Sequence, residues 1–310
     1  MQIIIDTILR SGESAINLAL FILLPIMVVM MAFMRLLEDR GVLRRIALFL
    51  APATILIGLP GVAVFAILQI LFVSFAAPVA TLKIMEQDPA IDQRSLAATF
   101  AAVITMSQAN ATFPLAAVGL NLPVAIGTSL AGGMLAAWIA WRWSPKPEIP
   151  IATTYPIDIP VSARKNVFQT LFAGGEEGLQ LVLKAIPMLV LAVLTVNILK
   201  NTGAIGLLQT LVSPIFQIFG VPGIAVLPIV TKFLAGGTAM MAVTLDLVEE
   251  GLLSALDVNR IAGFTIHPCD PVGIAVLVSA GLRIGLVAKI ALKAAAIAIV
   301  GRGIAHLLIF

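Results

Sequence analysis

Long stretches of this chain carry no charge. Residues 14–34, 46–82, 95–141 and 201–231 are runs of 21, 37, 47 and 31 residues without Asp, Glu, Lys or Arg. A helix crossing hydrocarbon needs roughly 20 predominantly apolar residues, so each longer run must hold more than one pass or a broken helix. Glycine and proline divide the apolar sequence into segments at 15–37, 42–57, 62–82, 95–113, 122–143, 178–199, 204–219, 223–247, 260–281 and 283–301. Segments 42–57 and 204–219 are short for a full span and read as tilted or re-entrant helices. The pattern predicts an all-α polytopic membrane protein with about 8–10 transmembrane crossings.

Composition strengthens this. Of 310 residues, 60% are hydrophobic and 11% charged, and the mean hydropathy is +1.10. A soluble domain is about 25% charged. The single cysteine excludes a disulfide scaffold. The net charge of +3 reflects basic loops rather than a nucleic-acid surface. The first apolar segment follows Asp6 and Glu13, and no small-x-small cleavage pattern follows Leu37. It therefore reads as a retained helix, not a signal peptide. The one substantial polar stretch, 144–170, contains Pro145, Pro147, Pro150, Pro156 and Pro160 and reads as an extended connector. It separates a first transmembrane repeat, 1–143, from a second, 171–310.

The two halves align at an offset of 162. Pro25 matches Pro187, Gly41 matches Gly203, and Pro52 matches Pro214; Gly58, Pro60 and Gly61 match Gly220, Pro222 and Gly223. Agreement of helix-breaking residues at one register implies a shared backbone path. Beyond residue 80 the register is expected to slip by a few residues. Arg35, Arg40, Arg44 and Arg45 follow the first helix, and Arg142, Lys146, Arg164 and Lys165 flank or occupy the connector. The positive-inside rule puts both on the cytoplasmic side, so equivalent helices point in opposite directions. Two inverted-topology repeats with broken or re-entrant helices are therefore expected in a multi-pass inner-membrane protein, an architecture many secondary transporters use.

Polar groups inside hydrocarbon need a reason. Ser107, Gln108 and Asn110 lie within the 47-residue uncharged run. Thr231 and Lys232 precede Gly236, Gly237 and Thr238, and the glycine pair can unwind a helix. His267 and Asp270 belong to a His-Pro-Cys-Asp-Pro sequence whose prolines, Pro268 and Pro271, forbid a regular helix. The first two groups are candidates for binding a polar solute, and His267 and Asp270 for ion coupling. Helix-to-helix clamping, snorkelling or a surface loop would explain the same residues structurally. His-x-Cys-Asp spacing is no zinc signature, and no resident metal or cofactor is expected. Lys289 and Lys293, four apart, suggest a partly amphipathic final helix near an interface. Trp138, Trp141 and Trp143 read as an interfacial belt.

The scaffold residues Pro25, Gly41, Pro52, Gly58, Pro60 and Gly61, with Pro187, Gly203, Pro214, Gly220, Pro222 and Gly223, resemble the nucleoside-recognition or Gate domain family. That family includes spore maturation proteins A and B. Related domains occur in the membrane part of ferrous-iron transport protein B and in concentrative nucleoside transporters. The resemblance covers roughly 12–130 and 174–290 and implies nucleoside-like recognition without choosing a cargo. Nucleotide-cradling and hydrolase motifs are absent from the sequence, so no enzyme activity is expected. The leading expectation is a secondary transporter of a small polar solute, nucleoside-like or an organic ion, coupled to protons or sodium. The alternatives are a non-transporting membrane scaffold or complex subunit, and a divalent transition-metal permease. Expected partners are membrane lipid and a small solute or ion, with room for a homo-oligomer or a membrane partner protein.

Overall fold

The computed structural model describes residues 2–42, 57–145, 166–203 and 216–310, with positions 45, 46, 48, 49, 54, 210 and 214. Pro52, Arg44 and the connector residues 146–165 lie outside the described residues, as does most of segments 42–57 and 204–219. The described chain is helical. Helix α1 (Gln2–Asn17) runs through a π-helical stretch, Leu18–Leu23, into α2 (Leu24–Asp39). Then come α3 (Gly61–Phe72), α4 (Pro78–Gln87), α5 (Gln93–Thr105), α6 (Ala109–Ala116) and α7 (Leu122–Trp143). The second half has α8 (Val167–Asn201), α9 (Val226–Glu249), α10 (Ala255–Thr265), α11 (Pro271–Val278) and α12 (Leu282–Ile309).

Among the described residues, five helical stretches are long and apolar enough to cross a membrane: Ile5–Asp39, Leu122–Trp143, Val167–Thr195, Gly223–Glu249 and Leu282–Ile309. The chain is a multi-pass membrane protein. The other helices are shorter, and each ends at a turn or a break.

Backbone geometry reproduces the repeat. Gly41 and Gly203 have φ of 68° and 73°, and Gly58 and Gly220 have 78° and 62°. These left-handed values favour glycine, which explains why both halves place one there. Pro60 and Pro222 cap the following helical turns in the same extended conformation, with φ of −67° and −66°. The register holds at 162 as far as the caps of α6 and α11 and then slips by two, since α7 and α12 start at Leu122 and Leu282, 160 positions apart. The helix caps Asp92 and Ser254 and the later caps Gln108 and Asp270 each remain 162 positions apart. Side-chain identities diverge there as well, and the ends of α5 and α10, Thr105 and Thr265, already stand 160 apart, so the expected slip of a few residues is present in the later part of each repeat.

The repeats are inverted. Gly174 packs on Met31 and Ala32, Gly178 packs on Met27 and Val28, and near the far end Asn197 donates to Ser11 Oγ at 2.9 Å. Thr170 reaches Asp39 at 3.3 Å. Contacts that move up one helix as they move down the other make α8 antiparallel to α1–α2, its equivalent in the first half. The glycines bring the two backbones together, as small residues do between membrane helices. A second small-residue seam joins α5, α7 and α12. Ala97, Ala98, Ala101 and Ala102 are fully buried with Ala136, Ala137, Ala140, Ala291, Ala294, Ala295 and Ala298.

A Cβ at Gly178 would lie 2.7 Å from the Met27 carbonyl oxygen, whereas the nearest atom to one at Gly175 is Val28 Cγ1, at 3.4 Å. Gly178→Leu is therefore expected to destabilise the protein by about 1–3 kcal/mol through overpacking, and Gly175→Leu by less. Melting temperatures of the two variants in detergent check the order.

Candidate functional site

Helices α5 and α10 enter from opposite ends of α7. Arg94, at the start of α5, donates to the Trp141 carbonyl at 2.5 Å and stacks on its ring, 3.8 Å from the centroid. Asn259, in α10, accepts from the Asn121 amide at 2.8 Å, where α7 begins. Asn121 and Trp141 are 20 positions apart, or about 30 Å along a helix, close to the hydrocarbon thickness of a bilayer. Each entering helix runs about half that depth and stops. Helix α5 ends at Thr105 and α6 starts after Gln108; α10 ends at Thr265 and α11 starts after Asp270. The two breaks therefore meet near the membrane midplane.

Two further discontinuities point at the same place. Helices α3 and α4 form a hairpin whose turn contains Ser74 and Phe75, and Thr81 Oγ1 donates to Gln69 Oε1 at 2.7 Å between its arms. Helix α9 is interrupted at Gly236, where φ is 84° and ψ is 179°. Ser74 and Gly236 are equivalent positions at the 162 offset. The hairpin tip is tied to α6 by the Phe75 amide, which donates to Asn110 Oδ1 at 3.3 Å. Asn110 Nδ2 also approaches Thr238 Oγ1, at 3.5 Å.

Broken helices leave carbonyls without intrahelical partners. Two buried cations serve them. Arg302, 3% exposed, donates to the Thr105 carbonyl at the end of α5, to the Ile266 carbonyl at 3.4 Å, and to Ser107 Oγ at 2.8 Å. Lys232, fully buried, donates to the His267 carbonyl and pairs with Asp270 Oδ2. The other Asp270 oxygen accepts from the Gly273 amide at 2.8 Å and caps α11. Cations thus sit at helix C-terminal ends and a carboxylate at an N-terminal end, as the helix dipole favours.

Between the tips and the breaks lies a small cavity lined by Phe75, Gln108, Ala235, Gly236, Gly237, Thr238, Asp270, Val272 and Gly273. At about 20 Å³ it has the volume for one water and not for a solute of nucleoside size. Gln108 Nε2 is buried there with no hydrogen-bond partner. A Cβ at Gly237 would overlap that amide, so glycine at this position lets the α9 break close on Gln108.

Gln108, Gly236, Gly237, Thr238 and Asp270 face this cavity, and Asn110 braces it. Ser107 lies behind it, with its amide donating to Ser129 Oγ at 2.6 Å and its hydroxyl accepting from Arg302. Lys232 reaches the cavity only through Asp270. Thr231, on the same turn as Lys232, is buried but does not line it. His267 is also buried behind the lining. Its Nε2 faces the Phe264 carbonyl at 2.9 Å and its Nδ1 accepts from the Cys269 amide at 3.1 Å, partners that assign the neutral tautomer protonated on Nε2. Among the described residues, no three His, Cys, Asp or Glu side chains gather to hold a metal.

Sequence reasoning missed Arg302, and with it His306. His306 contacts Thr128 Oγ1 at 2.8 Å and the Asn259 carbonyl at 2.7 Å, linking α12 to α7 and α10. The signal was present: Arg302 and His306 stand four apart in an otherwise apolar run, 294–310. Lys289 and Lys293 drew attention instead; both are exposed on the outer face of α12, whose other face is buried against α5 and α7.

Removing one partner of a buried ion pair leaves the other charge uncompensated and costs about 3–5 kcal/mol, while neutralising both costs less. Lys232→Met is expected to lower thermal stability strongly, and Lys232→Met with Asp270→Asn to recover part of the loss. Unfolding curves of the single and double variants in detergent check this. A double variant no more stable than Lys232→Met would show that the pair is not the source of the loss.

Comparison with known proteins agrees with this geometry. Residues 182–283 match the profile of the family described as "Gate: Nucleoside recognition". Spore maturation protein B of Bacillus subtilis is 28% identical over 81 residues, 26% of this chain and 45% of that protein. The structure of CNTnw in an inward-facing substrate-bound state superposes with a TM-score of 0.68 at 18% identity, covering 92% of this chain and 73% of that one. A CNTnw variant in an outward-facing state gives 0.66 at 16% identity, covering 99% and 81%. Residues 182–283 in the second half are thus similar to the Gate domain, and the described helices together have the fold of CNTnw.

Proposed function

We propose that this protein is a secondary transporter of a small polar solute, nucleoside-like in its hydrogen-bonding groups, in the inner membrane. The observation that carries the reading is the convergence of four interrupted elements on one midplane cavity lined by Gln108, Thr238 and Asp270. Irregular backbone at membrane depth is tolerated where it is buried in protein or lines a cavity, and transporters use such breaks as binding sites. The likeness to CNTnw, which has been captured in inward-facing, intermediate and outward-facing states, supports alternating access for the shared fold.

In this proposal Gln108, Asn110, Gly236, Gly237, Thr238 and Asp270 surround the solute. Ser107, Thr231, Lys232 and His267 hold the breaks in shape from behind. Residues 1–143 and 171–310 act as the two inverted repeats, and 144–170 is a cytoplasmic connector between them. The cavity of about 20 Å³ is far below the roughly 300 Å³ of a ligand pocket, so loading requires the α9 break to withdraw from Gln108. The unpartnered Gln108 amide favours a solute that brings a hydrogen-bond acceptor.

Uptake into proteoliposomes, measured with a panel of radiolabelled nucleosides and organic ions, tests the reading. Parent protein is expected to accumulate at least one nucleoside above protein-free vesicles. Gln108→Ala is expected to reduce that uptake about tenfold, the worth of one buried hydrogen bond. Gly237→Val, whose side chain would fill the space of the Gln108 amide and keep the α9 break from closing over a loaded site, is expected to abolish it. Parent vesicles indistinguishable from empty ones across the panel would count against transport.

A further inference from the structure

The carbonyls at the two broken helices already have cations, and those cations are parts of the chain. At the end of α5 the Thr105 carbonyl accepts from Arg302. At the end of α10 the Ile266 carbonyl accepts from the same guanidinium, and the next carbonyl, of His267, accepts from Lys232. Unwound carbonyls and half-helix C-terminal ends at the midplane are the groups with which secondary transporters commonly bind a coupling sodium ion. Here resident side chains occupy them.

The charges balance. Each helix C-terminal end carries about half a negative charge. The ends of α5 and α10 together make about one, and the Arg302 guanidinium supplies one positive charge. Lys232 is neutralised separately by Asp270. A metal ion added at these carbonyls would leave an uncompensated charge in a site that is buried throughout. The packing is fitted to the stem and backbone of Arg302 as well. A Cβ at Gly132 would collide with the Arg302 side chain, and one at Gly263 would lie 2.5 Å from the Arg302 carbonyl oxygen.

Both cations come from the second repeat. The position equivalent to Lys232 is Ile70; counted from the starts of α7 and α12, the position equivalent to Arg302 is Arg142, which is exposed near the end of α7. One half therefore provides the charge for the interrupted backbone of both.

We infer that Arg302 is a tethered cation that stands where an exchangeable one would bind, so that the helix breaks take up no sodium and hold their geometry without it. Arg302 is a positioning residue: it fixes the α5 and α10 ends behind Gln108 and Asp270 and does not line the cavity. The inference rests on the reading of these breaks as a transport site, but its test needs no transported solute.

The experiment is the melting temperature of the full chain in detergent, in sodium, lithium, choline or guanidinium chloride at equal millimolar concentration. Parent protein is expected to melt at one temperature in sodium and choline. Arg302→Ala is expected to melt several degrees lower in choline and to regain part of that loss in guanidinium or sodium, because a ligand bound only by the folded state stabilises it. Arg302→Lys is expected to lie between them. A residue that only fills space would give no response to cation identity. A parent melting temperature higher in sodium than in choline overturns the inference, as does an Arg302→Ala variant indifferent to every cation. The parent comparison stands even where Arg302→Ala does not fold. Uptake failing while the cation response holds would count against transport and not against the tethered cation.

Discussion

Backbone carbonyls at the midplane of a membrane must find donors inside the protein, because lipid offers none. The contacts of Arg302 with the Thr105 and Ile266 carbonyls, and of Lys232 with the His267 carbonyl, meet that requirement at the two helix breaks. Much of the surrounding structure serves these contacts. Gly132 and Gly263 leave room for Arg302 and its backbone, and the Ser107 hydroxyl accepts from its Nη2. Asp270 neutralises Lys232 and in the same act caps α11. Helices α9 and α12 deliver the positive charge that these breaks receive.

The inverted repeat explains how four interruptions reach one point. An antiparallel relation between equivalent units sends α5 and α10 inward from opposite faces, and each stops about halfway. The 162 offset then pairs the turn at Ser74 with Gly236, and the cap Gln108 with the cap Asp270. Backbone symmetry creates the meeting place, and side-chain asymmetry gives it chemistry. One cap is a neutral amide without a partner, and the other is a carboxylate locked to a lysine. The cavity thus has a free amide on one wall and a closed ion pair on the other.

Much of the architecture was legible before any coordinates. Prolines and glycines at one register exposed the repeat, because a left-handed φ restricts a position largely to glycine whatever surrounds it. Gln108, Gly236, Gly237, Thr238 and Asp270 stood out because polar or helix-breaking residues in apolar runs need a cause, and all five line the cavity. His267 stood out for the same reason, yet both its ring nitrogens are engaged with backbone groups. Composition cannot distinguish a polar group facing a cavity from one that satisfies a broken helix. Arg302 escaped notice because a basic residue near the end of an apolar helix resembles an interfacial anchor.

By itself the sequence determined that the protein lives in a membrane, that its two halves share a backbone path, and where that path breaks. Those properties rest on hydropathy and on φ restrictions, which act locally and can be read position by position. The tertiary structure decided which breaks meet, which polar side chains face the cavity, and which cation serves which carbonyl. Those depend on contacts between residues as far apart as Thr105 and Arg302, and in a low dielectric it is the partner, not the residue type, that determines what a buried charge does.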